Sequence, residues 1–467
     1  MSGRPHVVGS HLDPRELPSP DDPMAVARHF IADRFEDNEQ FLLRCWRGDW
    51  WQWQTTHWEE VEARDIREAA YRYTENAEYT DTTGKTAVTR RWEPNRWKMA
   101  HLLEALGACL HLPGRLHPPQ WITGNGMWPA HELVSVGNGL LHVPTRTLEP
   151  HDPAFFNTVA VPFAFDPRAA APRWLAFLAE LWPGDPDSVA AFQEFFGYVI
   201  SGRTDLHKIL LLVGPTRAGK GVIARILKAL VGAGHCAGPT LASLGTNFGL
   251  SPLIGKSLAI ISDARLGKDT ATSQIVERLL SVSGEDVLTI DRKYRDPWTG
   301  TLTTRLFVIS NELPRFGDAS GAIANRFVVV MLTKSWLGRE NTTLTAELLP
   351  ELPGILNWAL EGLERLRVAG RFTEPTSSRD AIIALQDLVS PIAAFVRDRC
   401  LRGRHEIPCD VLYRAWKDWA IENGHRGTSA QSFGRDLRAV IPTLRMTRPR
   451  DGPDRQRCYQ GITLRSD

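Results

Sequence analysis

The sequence runs to 467 residues, 43% hydrophobic and 23% charged, which is ordinary for a globular chain and too long for a single hydrophobic core. No apolar run approaches the roughly 18 residues that span a bilayer, and the opening MSGRPHVVGSHLDPRELPSPDDP has no apolar leader segment, so membrane-embedded and exported classes are not expected. The net charge of +1 hides an asymmetry: residues 1–200 carry 18 Lys and Arg against 27 Asp and Glu, whereas residues 201–467 carry 37 against 27. A surface for an anionic partner is therefore expected in the C-terminal part.

The six cysteines, Cys45, Cys109, Cys236, Cys400, Cys409 and Cys458, form no CxxC pair and are spaced for neither a zinc module nor a disulfide framework. They read as reduced thiols of a cytoplasmic protein, and Cys400, His405 and Cys409 read as neighbours without a metal.

Along the chain, residues 1–23 are rich in Pro, Ser and Asp and predict a disordered lead-in. Residues 24–203 predict a helical or mixed N-terminal domain. Within it 25–76 has a helical pattern, interrupted by RGDWWQWQTTHWEEV, whose alternation reads as a short hairpin leading into a helix. Trp46, Trp50, Trp51, Trp53 and Trp58 in that stretch read as core more readily than as platforms for bases. Residues 97–112 predict a helix, VSVGNGLLHV predicts short strands, and 173–202 predict a helical pair. From 204 to 372 apolar strands alternate with helices, the texture of an α/β domain closed by helices at 342–370. The tail, 373–467, predicts helices at 391–401, 409–423 and 429–440 followed by strands at 443–448 and 456–464, a winged-helix-like order.

The strongest chemical signal is KILLLVGPTRAGKGVIARIL, 208–227: an apolar strand, a glycine-rich turn and an amphipathic helix in P-loop order. The backbone of Gly214, Pro215, Thr216, Arg217, Ala218, Gly219, Lys220, Gly221 and Val222 is expected to wrap the phosphates of ATP, with Lys220 reaching the terminal ones. The residue after the lysine is ordinarily Ser or Thr, whose hydroxyl binds Mg²⁺; here it is Gly221, so either water or another side chain such as Thr216 fills that role. In KSLAIISDAR, 256–265, a strand ending in Asp263 suits a Mg²⁺-holding carboxylate. Many buried strands end in Asp; the position downstream of a P-loop is what makes this one informative. In TRLFVISNELPR, 304–315, a strand delivers Asn311, whose amide can orient an attacking water, although Asn also opens turns.

The order P-loop, Asp-ended strand, then SNELPR resembles the superfamily 3 helicases of small DNA viruses, phages and plasmids. LTIDRKYRDP, 288–297, is similar to the pore hairpin of papillomavirus replicative helicases. The resemblance implies that Lys293 and Tyr294 grip a single strand, flanked by Arg292 and Arg295; ammonium and ring are suited to phosphate and sugar or base. GAIANRFVVV, 321–330, matches the segment that carries an arginine finger, making Arg326 the candidate and Arg315 the runner-up. NGLLHVPTRTLEP with VPFAFDPRAAAPRWLAFL resembles the region before the motor in poxvirus primase-helicases and in phage or plasmid primase C-terminal segments.

What the resemblance implies is an AAA+-like P-loop ATPase core between a helical or mixed N-terminal domain and a winged-helix-like tail. Lys220, Asp263, Asn311 and Arg326 would be catalytic, with Asp263 holding Mg²⁺. The partners would be single-stranded and forked DNA, other copies of the chain in a hexameric ring, and a separate primase, since there is no room here for a primase catalytic domain. In SAQSFGRDLRAV, 429–440, Arg435 and Arg438 would face DNA, on a tail with 17 basic and 12 acidic residues over 371–467. Two departures stand out: Gly221, and Ser262-Asp263 where an acidic pair is usual, which leaves open what polarises the water. The competing expectation is a replication initiator or loader that uses ATP as an assembly switch without unwinding; a defence or packaging ATPase on the same motor is a third.

Overall fold

The computed structural model describes residues 15–84, 86–124, 126–264, 272–314, 316, 321–425, 428–447 and 456–465. The chain divides into two units, Met1–Ala160 and Val161–Asp467.

In the first unit the tryptophan-rich stretch is the expected hairpin: Asp49–Trp53 and Trp58–Val61 pair antiparallel with Trp53 opposite Trp58, and the helix Ala63–Thr74 follows. Leu43–Trp46 and His111–Leu112 complete a four-stranded sheet. Side chains alternate across a strand, so one ribbon feeds two cores. Trp51 packs with Trp46, Trp58, Leu112 and Phe156, while its neighbour Trp50 joins Val26, Phe30, Trp92 and Met99, on the side covered by the helices Pro23–Arg34 and Arg96–Cys109. With Trp46, Trp50, Trp51 and Trp58 buried, these rings are core and not platforms for bases. Leu133–Val136 and Gly139–His142 are short strands as expected, and they pair antiparallel as a hairpin.

Two expectations need correction here. Helix covers only Pro23–Arg34 and Ala63–Thr74 of the 25–76 stretch. The lead-in is ordered from Arg15: Arg15–Glu16 is a strand parallel to Ala77–Asp81, Leu17 is buried, and the Trp92 indole donates to the Pro18 carbonyl at 3.2 Å. One buried leucine and a few ladder bonds hold a segment whose composition alone reads as disordered.

The second unit opens with α1 (Pro172–Leu181) and α2 (Pro186–Ile200), each with proline in its first turn; Asp185 caps α2 by accepting from the Ser188 N–H at 3.1 Å. Its centre is a five-stranded parallel sheet of β1 (Ile209–Val213), β2 (Cys236–Ala237), β3 (Leu258–Ile261), β6 (Arg305–Ser310) and β7 (Phe327–Met331), in the order β2-β3-β6-β1-β7. These strands are nearly continuous apolar runs because helices cover both faces. After β1 comes α3 (Lys220–Val231), and α4 (Thr272–Ser283) precedes the antiparallel hairpin β4 (Leu288–Arg292) and β5 (Arg295–Gly300). The helix α5 (Leu352–Ala369) lies against α2.

In the tail, α6 (Pro391–Arg399), α7 (Cys409–Glu422) and α8 (Ala430–Val440) pack through Phe395, Trp416, Trp419 and Phe433. The strands number three among the described residues: β8 (Cys400–Pro408), β9 (Arg445–Thr447) and β10 (Cys458–Leu464), in the order β8-β10-β9. The extra strand β8 reads CLRGRHEIP, exposed over most of its length, so it carries no apolar alternation; pairing with β10 through an irregularity between Arg402 and Glu406 orders it. Among the described residues no helix is long and apolar enough to cross a membrane.

Candidate active site

Parallel strands align their C-terminal ends, and three of the chemically marked segments leave the sheet at one level. Val213 of β1 is in register with Ser310 of β6, and Ile261 of β3 with Val308. Gly214, Asn311 and Asp263 follow these ends within two residues, with the Asn311 strand between the other two.

The turn after β1 is shaped by glycine where nothing else fits. Gly219, at the N-terminus of α3, has φ 92°, and a Cβ there would meet Phe177 and Leu181 of α1 at 3.2 Å. At Gly214 a Cβ would stand 2.6 Å from that of Leu332, just past β7. Arg217, at φ 61°, is a non-glycine residue in the left-handed region. It is held there by the segment after β7: the Trp336 N–H donates to the Arg217 carbonyl at 3.0 Å, the Ser335 hydroxyl donates to the Thr216 carbonyl at 2.7 Å, and Glu340 pairs with the Arg217 guanidinium at 3.4 Å.

Lys220 donates from Nζ to the Gly214 and Pro215 carbonyls, both at 2.6 Å, and to Asn311 Oδ1 at 2.9 Å. Burial lowers its pKa below the ordinary lysine value. The ammonium thus sits at the mouth of the turn, held by three neutral oxygens.

These residues open onto a cleft of about 710 Å³. Thr216, Arg217, Ala218, Gly219, Lys220, Gly221, Val222 and Asn311 line it. So do residues that sequence reasoning missed: Arg173, Phe177 and Glu180 from α1, Arg225 from α3, and Trp336, Arg339, Glu340, Asn341, Thr342, Leu344 and Thr345 from the segment after β7. No motif marks those walls, because tertiary packing recruits them from far along the chain. Arg225 alone left a trace, four residues from Gly221 on one helix face. Asp263 is exposed at the end of β3, one strand farther from β1, and does not line the cleft.

The remaining candidates lie elsewhere. Arg326 ends a short 3₁₀ turn before β7, where Phe327 is level with Ile209 at the start of β1. It is half-buried, with Nη2 3.3 Å from where a Cβ on Gly284 would stand. The neighbouring Lys208 donates to the Asn325 carbonyl at 2.6 Å. Burial lowers its pKa, and an upward pull from Glu374 does not offset that burial and the charge of Arg326 together. Arg315 lies outside the described residues.

At the tip of the β4–β5 hairpin Arg292 is opposite Arg295, leaving Lys293 and Tyr294 as the turn. Tyr294 is 93% exposed at φ 62°, and Lys293 Nζ is 5.3 Å from its ring centre. Arg292 Nε donates to the Asp296 carbonyl at 2.9 Å, and Arg295 is exposed. On α8, Arg435 and Arg438 are exposed on the face opposite Phe433 and Leu437; Arg435 pairs with Asp436 at 3.1 Å.

Three families match parts of the chain. One described as "D5 N terminal like" covers residues 29–183, a family of unknown function (DUF5906) covers 212–326, and one described as "Poxvirus D5 protein-like" covers 390–455. Among solved structures, the apo structure of the NrS-1 C-terminal region (305–718) is similar at 13% identity and a TM-score of 0.54, over 94% of this chain and 99% of that one. The A form apo structure of the same region gives 12% and 0.50 over 90% and 97%. At such identity the likeness is one of fold.

Proposed function

The chain belongs to the poxvirus D5-like, primase-helicase family, and on that premise we propose that it is an ATP-driven DNA helicase of the superfamily 3, AAA+-like kind, acting as a hexameric ring on single-stranded and forked DNA during replication. The observation that carries the proposal is the link from Lys220 Nζ to Asn311 Oδ1 at 2.9 Å, which joins the P-loop to the next strand in the cleft.

The residues present fit a nucleoside triphosphate. The cleft volume is in the range of small-molecule sites, a helix N-terminus opens into it, and the oxygens that satisfy Lys220 are ones that phosphate oxygens can replace. Among the described residues no group of three His, Cys, Asp or Glu could cage a metal. A Mg²⁺ ion would therefore be held by Asp263 and the substrate phosphates, as is usual for this ion. Bound there, it would neutralise charge on the phosphate oxygens. Lys220 would hold the terminal phosphates, and Asn311, freed from Lys220, would orient the attacking water.

Arg326 would complete the site of an adjacent subunit. Gly214 lies six positions beyond Lys208 along β1, about 20 Å at 3.3 Å per residue. That is beyond the reach of Arg326 to its own P-loop, so an arginine finger at this position needs a neighbour, and the ring supplies one. Lys293 and Tyr294, with Arg292 and Arg295 beside them, would grip the strand and move with hydrolysis. The tail, read as winged-helix-like, would present Arg435 and Arg438 to duplex DNA. A separate primase would supply primers, and the work would be done in the cytoplasm of a bacterial or phage-infected cell. The domain limits that serve this reading are 24–203, 204–372 and 373–467.

The test is ATP hydrolysis with and without single-stranded DNA, on protein sized by light scattering with a nucleotide analogue. A ring of about six subunits with DNA-stimulated turnover supports the helicase. ATP-dependent assembly with slow turnover, indifferent to DNA, would replace it with the initiator or loader.

A further inference from the structure

Glycine is a poor helix former, yet Gly221 occupies the first turn of α3, where P-loop helices ordinarily present a metal-binding hydroxyl. The structure supplies a reason. A side chain four residues along a helix lies on the same face and leans toward the N-terminus. Arg225 does this: its Nη1 is 3.5 Å from the point where a Cβ on Gly221 would stand, and among the described residues, its chain neighbours Lys220 and Val222 aside, no other side chain comes within 4 Å of that point. From the far side, Thr345 Oγ1 accepts from Arg225 Nε at 3.1 Å, which orients the guanidinium. Both residues line the cleft that holds Lys220 and Asn311.

Two of the other cleft arginines, Arg217 and Arg173, are held in ion pairs. Arg217 pairs with Glu340, and Arg173 with Glu347 and Glu180. Arg225 donates instead to a neutral hydroxyl, so its charge is available to an anion at the helix N-terminus.

We propose that Arg225 is a phosphate-binding residue of this cleft, its guanidinium lying over Gly221 in the place where a hydroxyl would otherwise hold Mg²⁺. A Cβ at 221 would stand in van der Waals contact with Nη1, and a longer side chain directed the same way would displace the guanidinium, so Gly221 and Arg225 act as a pair. The assignment rests on the nucleotide reading above. It makes binding less dependent on Mg²⁺, because a fixed protein cation meets part of the phosphate charge.

Binding of the N-methylanthraniloyl analogue of ATP to the full chain, in Mg²⁺ and in EDTA, tests this. Arg225→Ala is expected to weaken binding roughly tenfold in Mg²⁺, the scale of one charge-assisted hydrogen bond, and more in EDTA. Arg225→Lys recovers only part, since one ammonium cannot reproduce the guanidinium fork. Gly221→Thr is expected to weaken binding in the wild type but to restore Mg²⁺-dependent binding in the Arg225→Ala background. If Arg225→Ala melts at a lower temperature without nucleotide, Arg225→Gln, which keeps a donor for Thr345 but no charge, carries the same expectation. Wild-type affinity for Arg225→Ala in both buffers, while Lys220→Ala loses binding, overturns the assignment and leaves the nucleotide reading intact. A wild type with no Lys220-dependent binding overturns both.

Discussion

The β4–β5 hairpin permits a prediction in which two adjacent residues give different signatures. Tyr294 is 93% exposed, Lys293 is exposed, and neither buries apolar surface, so Lys293→Ala and Tyr294→Ala should each change folding stability by no more than about 0.5 kcal/mol. Their effects on single-stranded DNA should diverge. On the proposed reading Lys293 would offer a charge to one phosphate, and removing one such neutralisation makes the slope of log K against log salt shallower by about 0.7. Between 50 and 200 mM salt that amounts to an affinity falling roughly 2.5-fold less than in the wild type. On the same reading Tyr294 would offer a ring, whose stacking would contribute about 1–3 kcal/mol with little salt dependence, so Tyr294→Ala should weaken binding roughly five- to hundredfold at every salt concentration. Fluorescence anisotropy with a labelled oligothymidylate across a salt series reads both. Equal slopes for Lys293→Ala and the wild type, or a slope change for Tyr294→Ala matching that of Lys293→Ala, would refute the assignment of charge and stacking to these two positions.

The sheet and the helices around it set further expectations. Lys220→Ala and Arg326→Ala should each abolish ATP turnover alone, but mixing the two should recover part of it, because an intact P-loop can then face an intact finger; no recovery in mixed rings would place Arg326 outside the neighbour's site. Glu194 is fully buried between α2 and α5, accepting from Arg365 Nε at 2.7 Å and from the Thr373 N–H at 2.7 Å. Glu194→Ala should cost about 2–3 kcal/mol in a urea melt, below the full penalty of a buried broken pair because Arg365 is partly exposed and keeps its bond to the Ala190 carbonyl. Glu347, beside the cleft, has its pKa lowered to about 2 by hydrogen bonds from Thr343, Asn341 and Arg173. Its folded pKa is depressed, so its contribution is present above the unfolded value near 4.5 and is lost as pH falls toward 2. Melting temperatures of the wild type and Glu347→Gln should therefore differ at pH 6 and converge as pH falls through that window; a constant gap would mean that this carboxylate is not the group responsible.

Much of this protein is written locally. The strand, glycine turn and helix over 208–227 are legible because they are contiguous, so the pattern lies within about twenty neighbouring positions. The tryptophan hairpin is legible for the same reason: alternation along a strand sorts Trp50 from Trp51 into different cores. What local pattern misread was held from a distance. Residues 15–18 look disordered until a strand about 60 residues on pairs with them, and β8 has no apolar period because most of its side chains meet water and only its pairing with β10 makes it a strand.

The cleft divides the same way. Gly214, Asn311 and Asp263 follow the ends of strands that a parallel sheet brings to one level, a placement legible in the sequence, although Asp263 stands outside the cleft. The walls that give the cleft its shape, from Phe177 through Arg225 to Trp336 and Thr345, come from separate segments of the chain. Their side chains meet only after α1 packs on Gly219 and the segment after Leu332 closes on the turn after β1. Periodicity and motif describe neighbours along the chain, whereas a cleft is made of neighbours in space; only the packed tertiary structure decides which distant side chains those are.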